Sequence, residues 1–327
     1  MPSFKINPFS KKNPDTGFGA QASNIGGRFL NKDGTFNLHK RGIPWLNRTS
    51  VYSYLLELSW LRFLGLILAF YLIVNSLFTC VYFLIGEDQL QGLLSKTSWG
   101  RIRELFYFSS QTFTTVGYGR INPVSDGADI VASIEAFCGW LFFALVTGLL
   151  YGRFSRPRAF VSFSENALIS PFKDGWAFMF RMVPYKGNHH LTEARVNVTI
   201  SLLLPNDDRP EYQFFQLALE RSRIDMFNMN WTVVHPIDGE SPLLNLTEEE
   251  IKQTDLEVMV QMTGFDSIFS NQVTQRTSYT YNEVIWGAKF KPMYHESADN
   301  ATTILDLNKL NAFEKLDVVS KNDWKAM

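Results

Sequence analysis

Cysteine is nearly missing from this sequence: its 327 residues include two, Cys80 and Cys138. Both lie inside apolar runs, so they read as buried thiols packing as small apolar groups, not as a disulfide or a metal site. An excess of charge is missing too. The 31 basic and 32 acidic side chains leave a net charge of −1, and nucleic-acid binding would need a strong basic excess. The first 40 residues lack the apolar core of a secretion signal; they are polar, with Gly, Asn and Lys, and are expected to form a mobile cytoplasmic tail. A catalytic constellation is missing as well. His189 and His190 are adjacent in a Gly-Asn loop, where neighbouring side chains on an extended chain point apart, so no metal site is expected there. Gly17-x-Gly19-x-x-Ala22 fits a dinucleotide fingerprint in spelling only, because no apolar strand precedes it and no helical pattern follows. The expectation is a protein that is not an enzyme and carries no cofactor.

What is present is concentrated apolar sequence. Phe63 to Ile85 is a run of 23 residues without a formal charge. As a helix it reaches about 34 Å, enough to cross a hydrocarbon core of about 30 Å. Ile130 to Tyr151 is a second run, broken only by Glu135. Two transmembrane helices are expected. Lys40, Arg41, Arg48 and Arg62 precede the first, and Arg153, Arg156 and Arg158 follow the second, which puts both termini in the cytoplasm of a multi-pass inner-membrane protein. The five Asn-x-Ser/Thr tripeptides, at Asn47, Asn197, Asn230, Asn245 and Asn300, fall outside the extracellular segment of that topology and read as chance.

Before the first span, Val51, Leu55 and Leu58 share one helical face, and Trp45 and Trp60 flank the stretch. Thr49 to Ser59 is expected as an amphipathic helix on the inner leaflet; the other reading is a plain extension of the first span. Between the spans, Arg101 to Phe113 reads as a helix too short to cross a bilayer, which suits a re-entrant segment. Irregular backbone at that depth is tolerated only where protein or a water-filled path covers it.

After Arg158 the pattern changes to period two. Val196, Val198, Ile200 and Leu202 alternate with polar residues, and Leu256, Val258, Val260 and Met262 repeat the alternation. Trp231 to His235 and Glu283 to Phe290 are further strand candidates, separated by turn signals such as Lys173-Asp174-Gly175 and Pro205-Asn206-Asp207. Thr247 with Glu250 spells a capping box, so one short helix is expected among the strands. The pattern points to a β-sandwich. The expected organisation is a cytoplasmic N-terminal tail over 1–47, an interfacial helix over 48–60, a transmembrane pore domain over 61–155 and a cytoplasmic β-sandwich over 156–327.

The segment after the half-length helix reads TFTTVGYG, from Thr112 to Gly119. TVGYG loops replace the hydration shell of K+ with backbone carbonyls. Here the carbonyls of Thr115, Val116, Gly117 and Tyr118 would have to point the same way, and Gly117 and Gly119 permit the backbone that requires. The Thr115 hydroxyl can add an oxygen at the inner end, Tyr118 can brace the loop outward, and the preceding helix would aim its negative end at a cation. One chain supplies one wall, so a homotetramer is expected.

At these residues the chain resembles the inward-rectifier potassium channel family, and most closely its bacterial members. The match runs over about residues 48 to 295. It is carried by Tyr54-Leu55-Leu56 through Ser59-Trp60, by Thr112 to Gly119, and by Gly148 through Arg153 with Arg156-Pro157-Arg158. In the soluble half it is carried by Phe163 to Ala167, Asn230 to Asp238 and Asn282 to Gly287. The resemblance implies an all-β immunoglobulin-like cytoplasmic sandwich below a two-span α-helical pore, passive K+ conduction, and gating by the cytoplasmic domain and anionic phospholipid. It implies lipid contacts at Arg153, Arg156 and Arg158, a narrowing of the pore at Tyr151, and Mg2+ or polyamines as blockers. Three departures stand out. Gln111 replaces a glutamate behind the filter, which leaves Arg120 without that acidic partner. Phe143 replaces the cavity aspartate of strongly rectifying members, and the two extracellular cysteines of animal members are absent.

Several residues carry two readings. Gly148 is a hinge or a close-packing position. Tyr151 is a pore constriction or an interfacial aromatic, and the three arginines are lipid contacts or positive-inside flanks. Glu135, costly inside a span, is expected at the back wall of the filter together with Gln111, Thr112 and Thr114, or as one satisfied hydrogen-bonding group. Glu211 and Glu283 line a cytoplasmic pore or are simply solvated. The competing function is a membrane-anchored ligand-binding or sensor sandwich without conduction, which would need no such loop.

Overall fold

In the computed structural model the described residues are 6–13, 17, 27–42, 50–187, 189–205, 210–298 and 301–316. Trp45, Asn47, Arg48, Thr49, Gly19, Ala22, Asn206, Asp207 and Asn300, named above, lie outside them. The chain divides into two compact units, residues 41–156 and residues 1–40 with 157–327.

The first unit is helical. The short helix α1 (Val51–Glu57) ends where Leu58 and Ser59 turn to extended backbone, so it is separate from α2 (Trp60–Ile85) and does not prolong it. α2 has 26 residues, about 39 Å. The chain then makes the two-residue strand β1 (Leu90–Gln91), the helix α3 (Ser98–Phe113), the strand β2 (Asn122–Pro123) and the 29-residue helix α4 (Asp126–Phe154). α3 starts three residues earlier than the apolar pattern predicts, because the Thr97 side chain caps it by accepting from the Gly100 N–H. α2 and α4 are both long and apolar enough to span a membrane. Their outward faces are bare apolar surface, with Leu61, Leu84 and Leu145 strongly exposed, as suits helices meeting lipid or other copies.

The second unit is a sandwich. Its strands are β3 (Val161–Phe163), β4 (Ala167–Phe172), β5 (Gly175–Pro184), β6 (Leu191–Leu204), β7 (Glu211–Gln216), β8 (Arg223–Phe227), β9 (Trp231–Pro236), β10 (Glu257–Asp266), β11 (Asn271–Thr280) and β12 (Val284–Trp286). One sheet runs β11-β10-β6-β7, with β8 also on β6; the other runs β12-β4-β5-β3, with β9 also on β5. β12 joins β4 in parallel and every other pairing in the two sheets is antiparallel. The alternation in β6 is realised: Val196, Val198, Ile200 and Leu202 face one core with Phe178, Phe180 and Met182 of β5. The capping box starts the helix α5 (Glu248–Gln253), with Thr247 and Glu250 bonding each other's backbone.

Two expectations change here. Glu283 to Phe290 is not one strand. Gly287, at φ 61°, separates β12 from β13 (Ala288–Phe290), which pairs with β16 (Phe313–Lys315) beyond a small hairpin, β14 (Tyr294–Glu296) and β15 (Thr303–Leu305). The segment expected as a mobile tail also has fixed contacts over its described residues. Phe29 and Leu30 pack on Tyr212, Phe214 and Met259, and their N–H groups donate to the buried Glu257 carboxylate at 2.7 and 3.0 Å. That cover is why β10 buries Glu257 and Met259 on the face that alternation assigns to solvent.

Candidate functional site

α3 ends at Phe113, and the backbone then leaves helical space in a regular way. Thr115 (φ 61°), Gly117 (φ 52°) and Gly119 (φ 78°) are left-handed, and Val116 and Tyr118 between them are not. Alternating hands turn successive peptide planes the same way, so consecutive carbonyls can line one side of the loop. Glycine takes that conformation freely. β-branched Thr115 does not, at about 1–3 kcal/mol of strain. The end of α3 holds it in place: Thr115 N–H donates to the Thr112 carbonyl at 3.0 Å, and the Val116 and Gly117 N–H groups both donate to the Gln111 carbonyl, at 2.9 and 3.3 Å. Gln111 and Thr112 therefore support the loop through their backbone. Thr114 adds a hydroxyl bond to the Ser110 carbonyl at 2.7 Å. The Thr115 hydroxyl donates to the Thr114 carbonyl at 2.7 Å, which leaves its lone pairs free to face an ion. Val116 and Tyr118 are 52% and 78% exposed, so the packing that would brace Tyr118 is not supplied by its own chain.

Behind the loop, Glu135 of α4 is fully buried and fully bonded. Tyr82 of α2 donates to its carboxylate at 2.6 Å, and the Ser109 hydroxyl of α3 donates to the other oxygen. One side chain thus ties three helices together. Gly139, one turn further along α4, sets the closest approach. A Cβ there would stand 1.8 Å from the Phe113 carbonyl oxygen, so α4 crosses the end of α3 at backbone contact.

In front of the loop, Arg120 has an acidic partner after all. Its Nη1 lies 3.1 Å from Oε1 of Glu104, a residue of α3 that the sequence reading passed over.

With this geometry in hand, the comparisons decide the class. The family described as inward rectifier potassium channel C-terminal domain matches residues 161–325, and a family described as ion channel matches residues 60–156. The inward rectifier potassium channel Kirbac3.1 of Paramagnetospirillum magnetotacticum is 34% identical over 288 residues, covering 87% of this chain and 95% of that protein. This chain belongs to the inward rectifier potassium channel family. Two animal relatives are more distant. The inward rectifier potassium channel irk-1 of Caenorhabditis elegans is 24% identical, over 85% of this chain and 55% of its own. The mouse G protein-activated inward rectifier potassium channel 2 is also 24% identical, over 86% of this chain and 74% of its own. The family is one of ion channels, so the protein is a membrane channel and not an enzyme, with two apolar helices ahead of a large β-rich domain.

The C-terminal half of α4 holds further residues singled out in the sequence. Phe142 is stacked on Phe70 and packed near Phe113, with centroids at 5.1 and 5.5 Å, while Phe143 beside it is half-exposed. Gly148 has open space where a Cβ would be, and the close-packed glycines of α4 are Gly139 and Gly152, the latter against the Tyr52 hydroxyl of α1. Tyr151 is exposed.

The three arginines separate. Arg153 donates to the Leu55 and Leu58 carbonyls at 2.8 and 2.7 Å, capping the end of α1, and its guanidinium lies over the rings of Trp60 and Phe63. Arg156 reaches Glu57 at 3.6 Å. Arg158 is exposed and makes no ion pair among the described residues.

Glu283 is not simply solvated. Its carboxylate holds Arg28 at 2.6 Å and Lys32 at 3.4 Å, and it accepts from the Thr280 N–H. Burial holds the Lys32 ammonium below its ordinary pKa, against the pull of Glu283. Glu211 opens β7 and is partly buried. Of the residues that the sequence did not suggest, Gly139, Tyr82 and Ser109 act through contacts between separate helices, and Glu104 ties α3 to the loops on either side of it.

Proposed function

We propose that four copies assemble around one axis so that the carbonyls of Thr115, Val116, Gly117 and Tyr118 form a K+-selective filter. The single observation that carries this reading is the alternation of left-handed backbone at Thr115, Gly117 and Gly119. An anchor for a sensor domain has no use for a strained, alternating loop tied to the end of a half-length helix. The exposure of Val116 and Tyr118 in the single chain supports assembly, since both would be covered by neighbouring copies. K+ is the cargo: the chain contributes oxygens, and the negative end of α3 favours a cation on its inner side.

In this reading both termini are cytoplasmic and the Tyr151 side chains narrow the inner mouth. Arg156 and Arg158 meet anionic lipid headgroups, each worth about 1 kcal/mol near the surface. Arg153 couples α1 to α4. Phe143 offers the cavity ring faces in place of carboxylates, so internal Mg2+ or spermine blocks weakly. Glu211 and Glu283, the latter paired with Arg28 and Lys32, are the candidates for a cytoplasmic pore wall. The test of the filter is Gly117→Ala. A Cβ at φ 52° has room but the wrong backbone, so K+ flux in liposomes should vanish while the tetramer persists on gel filtration. Full flux through the variant would sink the filter reading.

A further inference from the structure

Gln111 stands where many members of the family have an acid, yet an acid reaches Arg120, next to the filter loop, from another direction. Glu104 sits two turns earlier on α3, on the outer side, and is 8% exposed. Its Oε1 faces Arg120 Nη1 at 3.1 Å, and its Oε2 accepts the N–H groups of Leu94 and Ser95 at 3.0 and 3.1 Å. Arg120 follows Gly119 directly, and the same Nη1 reaches the Gly92 carbonyl at 3.4 Å. Gly92 completes the contact. At φ 97°, with a built Cβ only 1.8 Å from the Arg120 carbonyl oxygen, it lets the loop before α3 lie against the backbone that leaves the filter. β1 and β2 pair the same two segments one step further on, Gln91 with Asn122. The chain leaving the filter loop is thereby held by the segment before α3, and Glu104 bonds that segment and Arg120 while its own backbone belongs to α3.

We infer that the Glu104–Arg120 pair is a positioning element for the outer end of the filter, setting the Tyr118 and Gly119 carbonyls and with them the preference for K+ over Na+. This rests on reading Thr115 to Gly119 as the filter. The physical argument is one of leverage. Those carbonyls are one and two residues from Arg120, the left-handed backbone at Gly119 leaves them outside regular secondary structure, and the bond from the half-exposed Arg120 to the buried Glu104 carboxylate is charge-assisted and short. Arg120 acts through one nitrogen, so a positive charge at that place matters and the guanidinium plane does not.

The experiment compares Na+ with Rb+ uptake in liposomes for the native chain, Arg120→Gln, Glu104→Gln, the double variant and Arg120→Lys, with gel filtration of each. Each Gln variant should raise the Na+/Rb+ ratio about tenfold, the size of one lost charge-assisted bond. The double variant should match the singles, because the two residues act through one contact. Arg120→Lys should return the ratio to near native. If Glu104→Gln fails to assemble, Arg120→Gln carries the test alone, since it leaves the Glu104 bonds to Leu94 and Ser95 in place. Native selectivity in the Gln variants, a double variant with the product of two separate losses, or a Lys variant as poor as Gln would each overturn the inference. A native chain that passes both ions equally would overturn the filter reading itself, which is a different failure.

Discussion

His235 is held at both ends of its ring. A carbonyl can only accept, so Nδ1 carries the proton that goes to the Ala218 carbonyl at 2.5 Å, and Nε2 accepts from the Ser241 hydroxyl at 2.8 Å. A second proton on the ring would take the acceptor away from Ser241. Burial of the ring pushes its pKa below the ordinary histidine value, with the Ala218 bond and Asp238 pulling the other way. The folded chain therefore binds that proton more weakly than the unfolded chain does. Its contribution to stability is complete above the ordinary histidine value near 6.5 and is lost as pH falls through the lower, folded value. The slope is at most about 1.4 kcal/mol per pH unit. Thermal unfolding between pH 7.5 and 5.5 should show a smaller drop for His235→Gln than for the native protein, and equal drops would remove His235 from the account. Glu257 works in the opposite sense. Burial raises its pKa, so its contribution declines as pH rises from the ordinary glutamate value toward the raised one, and comparing each variant with the native chain separates the two.

At the scale of elements, the link that Arg153 makes is α1 against α4. Arg153 caps the Leu55 and Leu58 carbonyls, and nothing at that distance would be expected of a side chain reserved for lipid. Arg153→Gln should lose about 1.5–3 kcal/mol of thermal stability and lower maximal flux at saturating anionic lipid. Arg158→Gln should leave stability alone and move only the lipid concentration at half effect. If both variants shift that midpoint equally with no change in stability, Arg153 is a lipid contact and not a coupling. The sequence made most elements legible where one face had to be buried: β6 follows its alternation residue by residue, and α2 and α4 follow their apolar runs. It was misleading where a partner distant in the chain changes the burial. Glu257 and Met259 read as solvent-facing until Phe29 and Leu30 cover them. Gly287 inside an apolar stretch hid the break between β12 and β13. At the site, the loop itself was legible because its spacing is chemical. Glu104 and Gly139 were not, because an ion pair across 16 residues and a backbone contact between two helices leave no local pattern.

At the scale of the molecule, a single chain is an incomplete object. Its two long helices expose apolar faces, its filter loop exposes Val116 and Tyr118, and the carbonyls that the backbone alternation aligns have only one wall among them. In the proposed tetramer, four copies would complete each of these at once. The family match makes the chain an inward rectifier potassium channel relative, and selectivity in the assembled protein is the property on which the whole reading depends. The most direct measurement is the flux of K+ and Na+ through the purified native protein in liposomes containing anionic lipid. The account predicts rapid K+ and Rb+ uptake with hardly any Na+, and equal uptake of Na+ and K+ would contradict it.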